Sequence, residues 1–335
     1  MRILLRYALR RFGQFVLVVF VGINLAFFIT HATPIDPIQQ AIAAATRFSQ
    51  ADPRAVEATR VALRELYGLN GTLWDQYLTF WKRIVVFDFG PSLSAFPTPV
   101  STLIWRALPW TFGLLTVATL ISWTLGNFLG GLAGYYRKNR LLKLVGVIAT
   151  ALQPIPNYIM AFVLLVLLGY VWPIFPITGS AQINLARGFD WSYMSSVAYH
   201  AVLPVLSLVL VGIGPSFIGM RALVSNIVTE DYVSFAELGG VSRHRILMAY
   251  IMRNAMGPQL TALALSLGLI FNGAVITEVV FGYPGVGNLL IRAVYAGDYS
   301  LVIGIASISI IAVAAAVLII DLLYPLIDPR VRVSS

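Results

Sequence analysis

The sequence predicts an all-α integral membrane protein with six transmembrane helices. Hydrophobic residues make up 59% of the 335 residues and charged residues only 11%, whereas an ordinary soluble domain has about 25% charged residues. The mean hydropathy is +0.83. Long charge-free runs recur along the chain, and a membrane-spanning helix needs about 20 apolar residues. These observations argue against a soluble enzyme, and the abundance of Leu, Ile, Val and Phe excludes intrinsic disorder.

Six spans follow from the distances between charged residues. They cover residues 11–31, 107–134, 143–171, 198–219, 258–280 and 300–323. The first span follows a group of arginines, as a signal peptide would: Arg2, Arg6, Arg10 and Arg11. Its apolar run is too long for a typical signal core, however, and no small-x-small cleavage site closes it. We therefore expect residues 1–31 to form a cytoplasmic N-terminus and an uncleaved first helix.

The distribution of charge predicts the orientation. Basic residues are enriched in cytoplasmic loops of membrane proteins. If both termini are cytoplasmic, the whole net charge of +9 lies on the cytoplasmic side, in the N-terminus, residues 135–143, the loop 219–257 and the tail 324–335. The basic balance therefore indicates topology and not nucleic-acid binding. Residues 32–106 become a long external segment before the five-helix core 107–323. Its Trp74, Tyr77 and Trp81 suit a position at the membrane interface.

Several kinds of chemistry are missing from the sequence. The chain has no cysteine, which excludes disulfides, thiolate metal sites and a cysteine nucleophile. A phosphate-binding P-loop needs a Lys after Gly, and none of the three lysines follows a glycine. The three histidines are too scattered to predict a metal centre. We therefore expect no catalytic residue, no metal and no cofactor in this chain.

Polar and proline residues inside the spans have two interpretations. Gln153 and Asn157 flank the prolines Pro154 and Pro156, which must bend or break the third span. The bend is either a packing kink or a wall of a translocation path, and Asn272 in the fifth span is a further pathway candidate. Glu278 is expected at the outer interface.

Glycines and the absence of paired polar groups add two further expectations. Gly126, Gly130 and Gly134 have the four-residue spacing that lets two helices approach closely. The spans contain no carboxylate pair and no nucleophile–base pair. A stand-alone secondary transporter and an intramembrane enzyme therefore have little support.

The loop between the fourth and fifth spans is the most specific segment. Its pattern predicts a helix that begins near Glu230 and Asp231, ends at Gly239 and Gly240, and is followed by a second helix with Ser242 as its N-cap. Three apolar residues would face a soluble partner: Phe235, Leu238 and Val241. The loop is too polar to be a span and too patterned to be a flexible linker.

This loop resembles the "EAA" loop of ATP-binding-cassette importer permeases. Ala236 and Gly240 match its Ala and Gly positions, and residues 253–258 match the Arg-Asn-Ala-x-x-Pro that follows; Glu237 departs from the usual acidic position. Further segments resemble the B-type permeases of the dipeptide/oligopeptide/nickel transport family, from end to end of the chain: residues 67–70, 74–77, 88–92, 281–287, 321–324 and 328–330.

The resemblance implies a type I importer permease fold in the bacterial inner membrane. It implies three kinds of partner: a homologous C-type permease, two ATP-binding subunits that hold ATP and Mg²⁺, and an external solute-binding protein. Residues of the loop would couple to the ATPases, namely Phe235, Ala236, Glu237, Gly240, Ser242 and Arg243. Gln153, Asn157 and Asn272 would line the path. The family carries peptides, oligosaccharides or nickel chelates, and the sequence does not separate them.

Overall fold

The structure is a computed structural model that describes residues 2–32, 42, 53–268 and 274–327. Every regular element in these residues is a helix, as predicted. Among them, four helices are long and apolar enough to cross a membrane, and a bent pair would make a fifth. The count of six spans remains a prediction, because residues 269–273 of the predicted fifth span lie outside the described residues, as does the end of the tail, 328–335.

The described part of the first half contains six long or medium helices and one π-helical segment. They are α1 (Arg2–Ala32), α2 (Pro53–Leu66), α3 (Leu73–Val85), α4 (Val100–Tyr135), α5 (Arg140–Leu152) and α6 (Asn157–Leu164), which continues as the π segment Leu165–Val171. Local caps explain several of the starts. Thr72 and Asp75 form a capping box at α3, and Asn139 and Asp190 accept backbone N–H groups at the starts of α5 and of the next helix.

The second half begins with a long helix and continues through the loop singled out above. Its helices are α7 (Trp191–Ile227), α8 (Asp231–Leu238), α9 (Arg243–Arg245) with the π segment Ile246–Met252, α10 (Arg253–Gly268), α11 (Val275–Val280), α12 (Val286–Tyr295) and α13 (Tyr299–Ile327). The predicted fifth span therefore contains α10 and α11, with residues 269–273 between them.

The chain divides into two compact units. The first contains residues 1–110 and 285–315 and the second residues 111–284 and 316–335. The core of the first unit draws on residues 53–106 and on helices α1, α12 and α13, and its buried members are Ile23, Ile84, Phe89, Val100, Ile104, Ala293, Leu301 and Ile305. The described part of the segment predicted to be external therefore packs by apolar contacts.

A buried carboxylate fixes residues 92–94 within this first unit. Asp298 is fully buried and stands before the first turn of α13, where its Oδ1 accepts the Leu301 N–H at 3.1 Å. Its Oδ2 accepts the Ser92 hydroxyl at 2.5 Å, the Ser94 N–H at 2.9 Å and the Ser94 hydroxyl at 2.8 Å. Burial raises the pKa of the nearby Tyr67 to about 12, and the Asp298 carboxylate acts in the same direction. Buried charge is stable here because several donors surround it.

In the second unit, the predicted glycine stripe packs α4 against α7. A Cβ on Gly130 would lie 2.4 Å from the Phe217 carbonyl oxygen, and one on Gly126 or Gly134 would lie within 2.9 Å of α7 backbone oxygens. The two backbones are thus closer than any side chain at these positions would allow. This confirms the prediction that the spacing serves close helix packing.

Two further expectations concern the prolines of the third span and Glu278 of the fifth. The third span is bent by 109° between α5 and α6, at the two prolines, so the predicted break is confirmed. Glu278, expected at the outer interface, has a side chain that is fully buried in the protein, and its depth in the membrane remains a prediction. Its Oε1 accepts the Thr111 hydroxyl at 2.6 Å, and a buried carboxylate needs such donors.

Candidate functional site

The loop between α7 and α10 forms a short helix that ends in a complete glycine cap. Gly239 is the C-cap residue of α8, with a φ of −74°. Gly240 follows it with a φ of +73°. The Gly240 N–H donates to the Glu237 carbonyl at 3.0 Å and the Val241 N–H donates to the Ala236 carbonyl at 3.1 Å. This pair of hydrogen bonds is the Schellman motif, whose left-handed position favours glycine. The prediction that this helix ends at Gly239 and Gly240 is confirmed.

One face of α8 is attached to the cores of its neighbours. Val233 is buried in an apolar cluster with residues of α7, of the π segment 246–252 and of α10, and Ala236 and Val241 pack against the same cluster. Its other buried members are Met220, Val224, Ile246, Ile251 and Ala255. Val241, expected to face a partner, is only partly exposed and packs against this cluster, which is the apolar contact that often accompanies a Schellman motif.

The opposite face of α8 exposes two large apolar side chains. Phe235 is 71% exposed and Leu238 is 84% exposed. Glu237, Gly240, Ser242 and Arg243 are placed outside the buried cluster, and Ala236 packs against it. The predicted coupling residues thus divide into an outward group and one residue, Ala236, that faces the cluster. A polar loop that presents large apolar side chains is typical of a protein contact surface.

The second helix of the loop begins where the sequence predicted. Ser242 has extended N-cap angles, and its carbonyl accepts the Ile246 N–H at 3.0 Å. Its hydroxyl makes no capping hydrogen bond, so only the position of the predicted cap is confirmed. Asn254 in α10 donates to the Tyr232 hydroxyl in α8 at 2.9 Å, which ties the two helices together beside the apolar cluster.

The pathway candidates lie at the bend of the third span. Gln153 follows the last residue of α5 and Asn157 is the first residue of α6. Both side chains are exposed on this chain. Asn272 lies outside the described residues. Whether these residues line a path remains a prediction.

Sequence reasoning missed a buried polar group between α4 and α10. The Trp123 indole N–H donates to the Gln259 carbonyl at 2.9 Å, and the Gln259 side chain is buried. The Asn127 amide, one turn along α4, donates to the Trp123 carbonyl at 2.7 Å. The sequence contains one signal that could have predicted this contact. Asn127 and Gln259 lie inside charge-free runs, where polar groups are costly.

Comparison with known proteins gives consistent matches. Residues 126–333 match the family described as "binding-protein-dependent transport system inner membrane component". The chain is 28% identical over 311 residues to the oligopeptide transport system permease protein AppB of Bacillus subtilis (strain 168), with 92% of this chain and 93% of that protein covered. It is 28% identical to the dipeptide transport system permease protein DppB of Escherichia coli (strain K12), covering 98% of this chain and 99% of that one. The DppB protein of Lactococcus lactis subsp. cremoris (strain MG1363) is 25% identical over 98% of this chain and 100% of its own length.

Proposed function

The chain belongs to the family of inner membrane components of binding-protein-dependent transport systems, and we propose that it is a permease subunit of an ATP-binding-cassette importer for peptides. Members of this family are membrane components and not enzymes. The peptide substrate rests on the names of the relatives, which are dipeptide and oligopeptide permeases similar to this chain along nearly their whole lengths. Oligosaccharides and nickel chelates are the alternative cargoes.

In the proposed topology both termini and the loop 219–257 face the cytoplasm. The supporting observation is the charge distribution, because this orientation places the entire net charge of +9 inside. A cysteine at Thr72 would then react with a membrane-impermeant thiol reagent added to intact cells, and the wild-type chain offers no competing cysteine. Reaction at this position only after lysis would reverse the assignment.

The proposed contact with the ATPase subunits is the exposed face of α8. The single observation that carries it is the pair Phe235 and Leu238, which are exposed on a short helix whose other face is packed on the cores of α7 and α10. Apolar anchors on a firm base are the residues that dominate protein interfaces. The neighbouring Arg243, His244 and Arg245 are exposed as well and would form a basic rim.

The proposed mechanism is alternating access driven by the partners. The two ATP-binding subunits would hold ATP and Mg²⁺, and their closure would move α8. Because α8 is packed on residues of α7 and α10, a displacement of α8 would carry these helices with it. The permease and its homologous C-type partner would then open toward an external solute-binding protein. Exposed amides at Gln153 and Asn157 would face the cavity between the two permeases.

The coupling assignment is tested by removing the two anchors. We expect the double variant Phe235→Ala/Leu238→Ala to insert normally and to lose assembly with the ATPases and substrate-stimulated ATP hydrolysis. Leu141→Ala is the matched control, because Leu141 is also a large exposed apolar residue, 72% exposed, at the start of α5. Normal stimulation in the double variant would refute the assignment.

The substrate assignment is tested separately, on the companion binding protein. We expect di- or oligopeptides to bind it and to stimulate ATP hydrolysis by the reconstituted complex. Stimulation by an oligosaccharide or a nickel chelate, and not by peptides, would overturn the peptide assignment and leave the coupling assignment intact.

A further inference from the structure

Helix α3, in the segment expected to be external, has an apolar arc that the first unit covers only in part. The residues at one edge of this arc are Trp74, Leu78 and Val85, which we call the α3 flank. Trp74 is 64% exposed, Leu78 43% and Val85 72%. At 100° per residue these three positions fall within about 40° of one another on the helix.

The polar face of α3 is satisfied by the chain itself. The Gln76 side chain donates to the Leu69 carbonyl at 3.1 Å, and Arg83 donates to the Leu66 carbonyl at 2.8 Å. Asp75 accepts both the N–H and the hydroxyl of Thr72, and these hydrogen bonds lower its pKa. These polar groups lie on the side of α3 away from the flank, and their hydrogen bonds are made within the segment itself.

The centre of the apolar arc packs along α1. The Tyr77 ring lies 5.4 Å from the Phe27 ring, and the Tyr77 hydroxyl donates to the Asn24 side-chain oxygen at 2.8 Å. One turn further along α3, the Trp81 ring stacks on Phe20 at 5.5 Å. As α3 proceeds, its contacts therefore move back along α1 toward the N-terminus. The two helices run antiparallel.

The position of these contacts along α1 determines how deep in the membrane they lie. The candidate membrane span of α1 ends at Thr30, and Phe20 lies ten residues before it. At 1.5 Å per residue this is about 15 Å, which is half of the roughly 30 Å thickness of a bilayer's hydrocarbon core. Trp81 therefore packs beside the membrane-spanning part of α1 and not beyond its end.

We propose that the α3 flank contacts the acyl chains of the outer leaflet, so that α3 is partly embedded in the membrane. The occupant follows from continuity: Leu25 and Phe28 of α1 are exposed beside the α1 residues that hold α3, and α1 spans the membrane. The expectation that all of residues 32–106 is external changes accordingly. Only the choice of leaflet rests on the proposed function, through its topology.

The test measures where a spin label on the flank collides with small reagents. Single cysteines replace Leu78 and Val85 in the complete importer, reconstituted in lipid nanodiscs. Leu25→Cys on α1 is the lipid reference. Glu57→Cys on α2 is the water reference, because its side chain is 63% exposed. Collision with oxygen, which concentrates in lipid, is compared with collision with a water-soluble nickel complex.

We expect both flank positions to favour oxygen over the nickel complex, as Leu25 does, whereas Glu57 shows the reverse preference. Preference for the nickel complex at Leu78 and Val85 would place the flank in water and overturn the proposal. Low collision with both reagents would mean that another protein covers the flank, which would also overturn it. Reaction of the Glu57→Cys variant with a membrane-impermeant reagent added to intact cells reports the topology independently, so a reversed topology is distinguished from a failed lipid contact.

Discussion

Substitution of Gly240 separates two reasons why this residue is required. The first is conformational, because Gly240 has a φ of +73°, where a residue with a side chain costs about 1–2 kcal/mol and Asn somewhat less. The second is the fit to the proposed ATPase partner. Within the described chain a Cβ on Gly240 meets no atom within 4 Å, so a side chain there does not clash with the permease itself.

The magnitude follows from these two facts. A cost of about 1–2 kcal/mol lowers the equilibrium ratio of the correctly turned loop to its other conformations by a factor of about 5–30. This is too little to unfold a membrane domain and enough to weaken docking. We expect Gly240→Ala to reduce substrate-stimulated ATP hydrolysis, Gly240→Leu to abolish it, and both to insert normally. Gly240→Asn keeps the turn at lower strain, so it reports the effect of side-chain bulk.

The assay is substrate-stimulated ATP hydrolysis and uptake by the reconstituted importer, with insertion and assembly measured in parallel. Gly257→Ala is the control: Gly257 lies in the same loop, is helical, and a Cβ at its position would have no described atom within 4 Å. An alanine there stabilises a helix by roughly 0.5–1 kcal/mol. Transport at the wild-type rate by Gly240→Leu would refute the coupling role of the glycine turn.

Two further predictions concern the packing of each unit. Gly130→Ala forces its methyl group against the Phe217 carbonyl, 2.4 Å away, and we expect it to destabilise the permease by about 1–3 kcal/mol. Gly113→Ala, a helical position with open space around it, should leave the thermal unfolding temperature of the complex unchanged or slightly raised. Asp298→Ala leaves the buried Ser92 hydroxyl without its carboxylate acceptor and should cost about 1–3 kcal/mol, measured as faster proteolysis of residues 86–99. The exposed Asp88 is the control for Asp298, and equal proteolysis of the two alanine variants would contradict the role of the buried carboxylate.

Local signals in the sequence predicted the features that depend on few residues. Two successive glycines after a short helical pattern predicted that the helix ends at Gly239 and Gly240. Glycines at four-residue spacing predicted that α4 packs closely against another helix, and the prolines at 154 and 156 predicted a break. The size of that break, 109°, is not a local property, because it depends on the helices against which α5 and α6 pack.

Features that depend on tertiary contacts were not predictable in the same way. Val241 and Leu238 are both apolar residues of one short loop, yet Val241 packs on the cluster and Leu238 is exposed. The difference arises from the direction of the chain after Gly240 and from the position of α7, neither of which the local pattern contains. Glu278 is buried for a related reason, because its hydroxyl partner Thr111 is 167 residues away in the chain.

The attachment of α8 explains why the loop would transmit motion instead of absorbing it. A flexible linker would move without its neighbours, whereas α8 is held at both ends: Val233 lies in the apolar cluster near its start, and Val241 packs on that cluster after its end. The Asn254 hydrogen bond to Tyr232 adds a directional contact with α10. Packed interiors deform little, so a force applied at Phe235 would reach α7 and α10 before it could bend the loop. A substitution in the cluster, such as Val233→Ala, should therefore lower substrate-stimulated ATP hydrolysis even though it leaves the exposed contact surface intact.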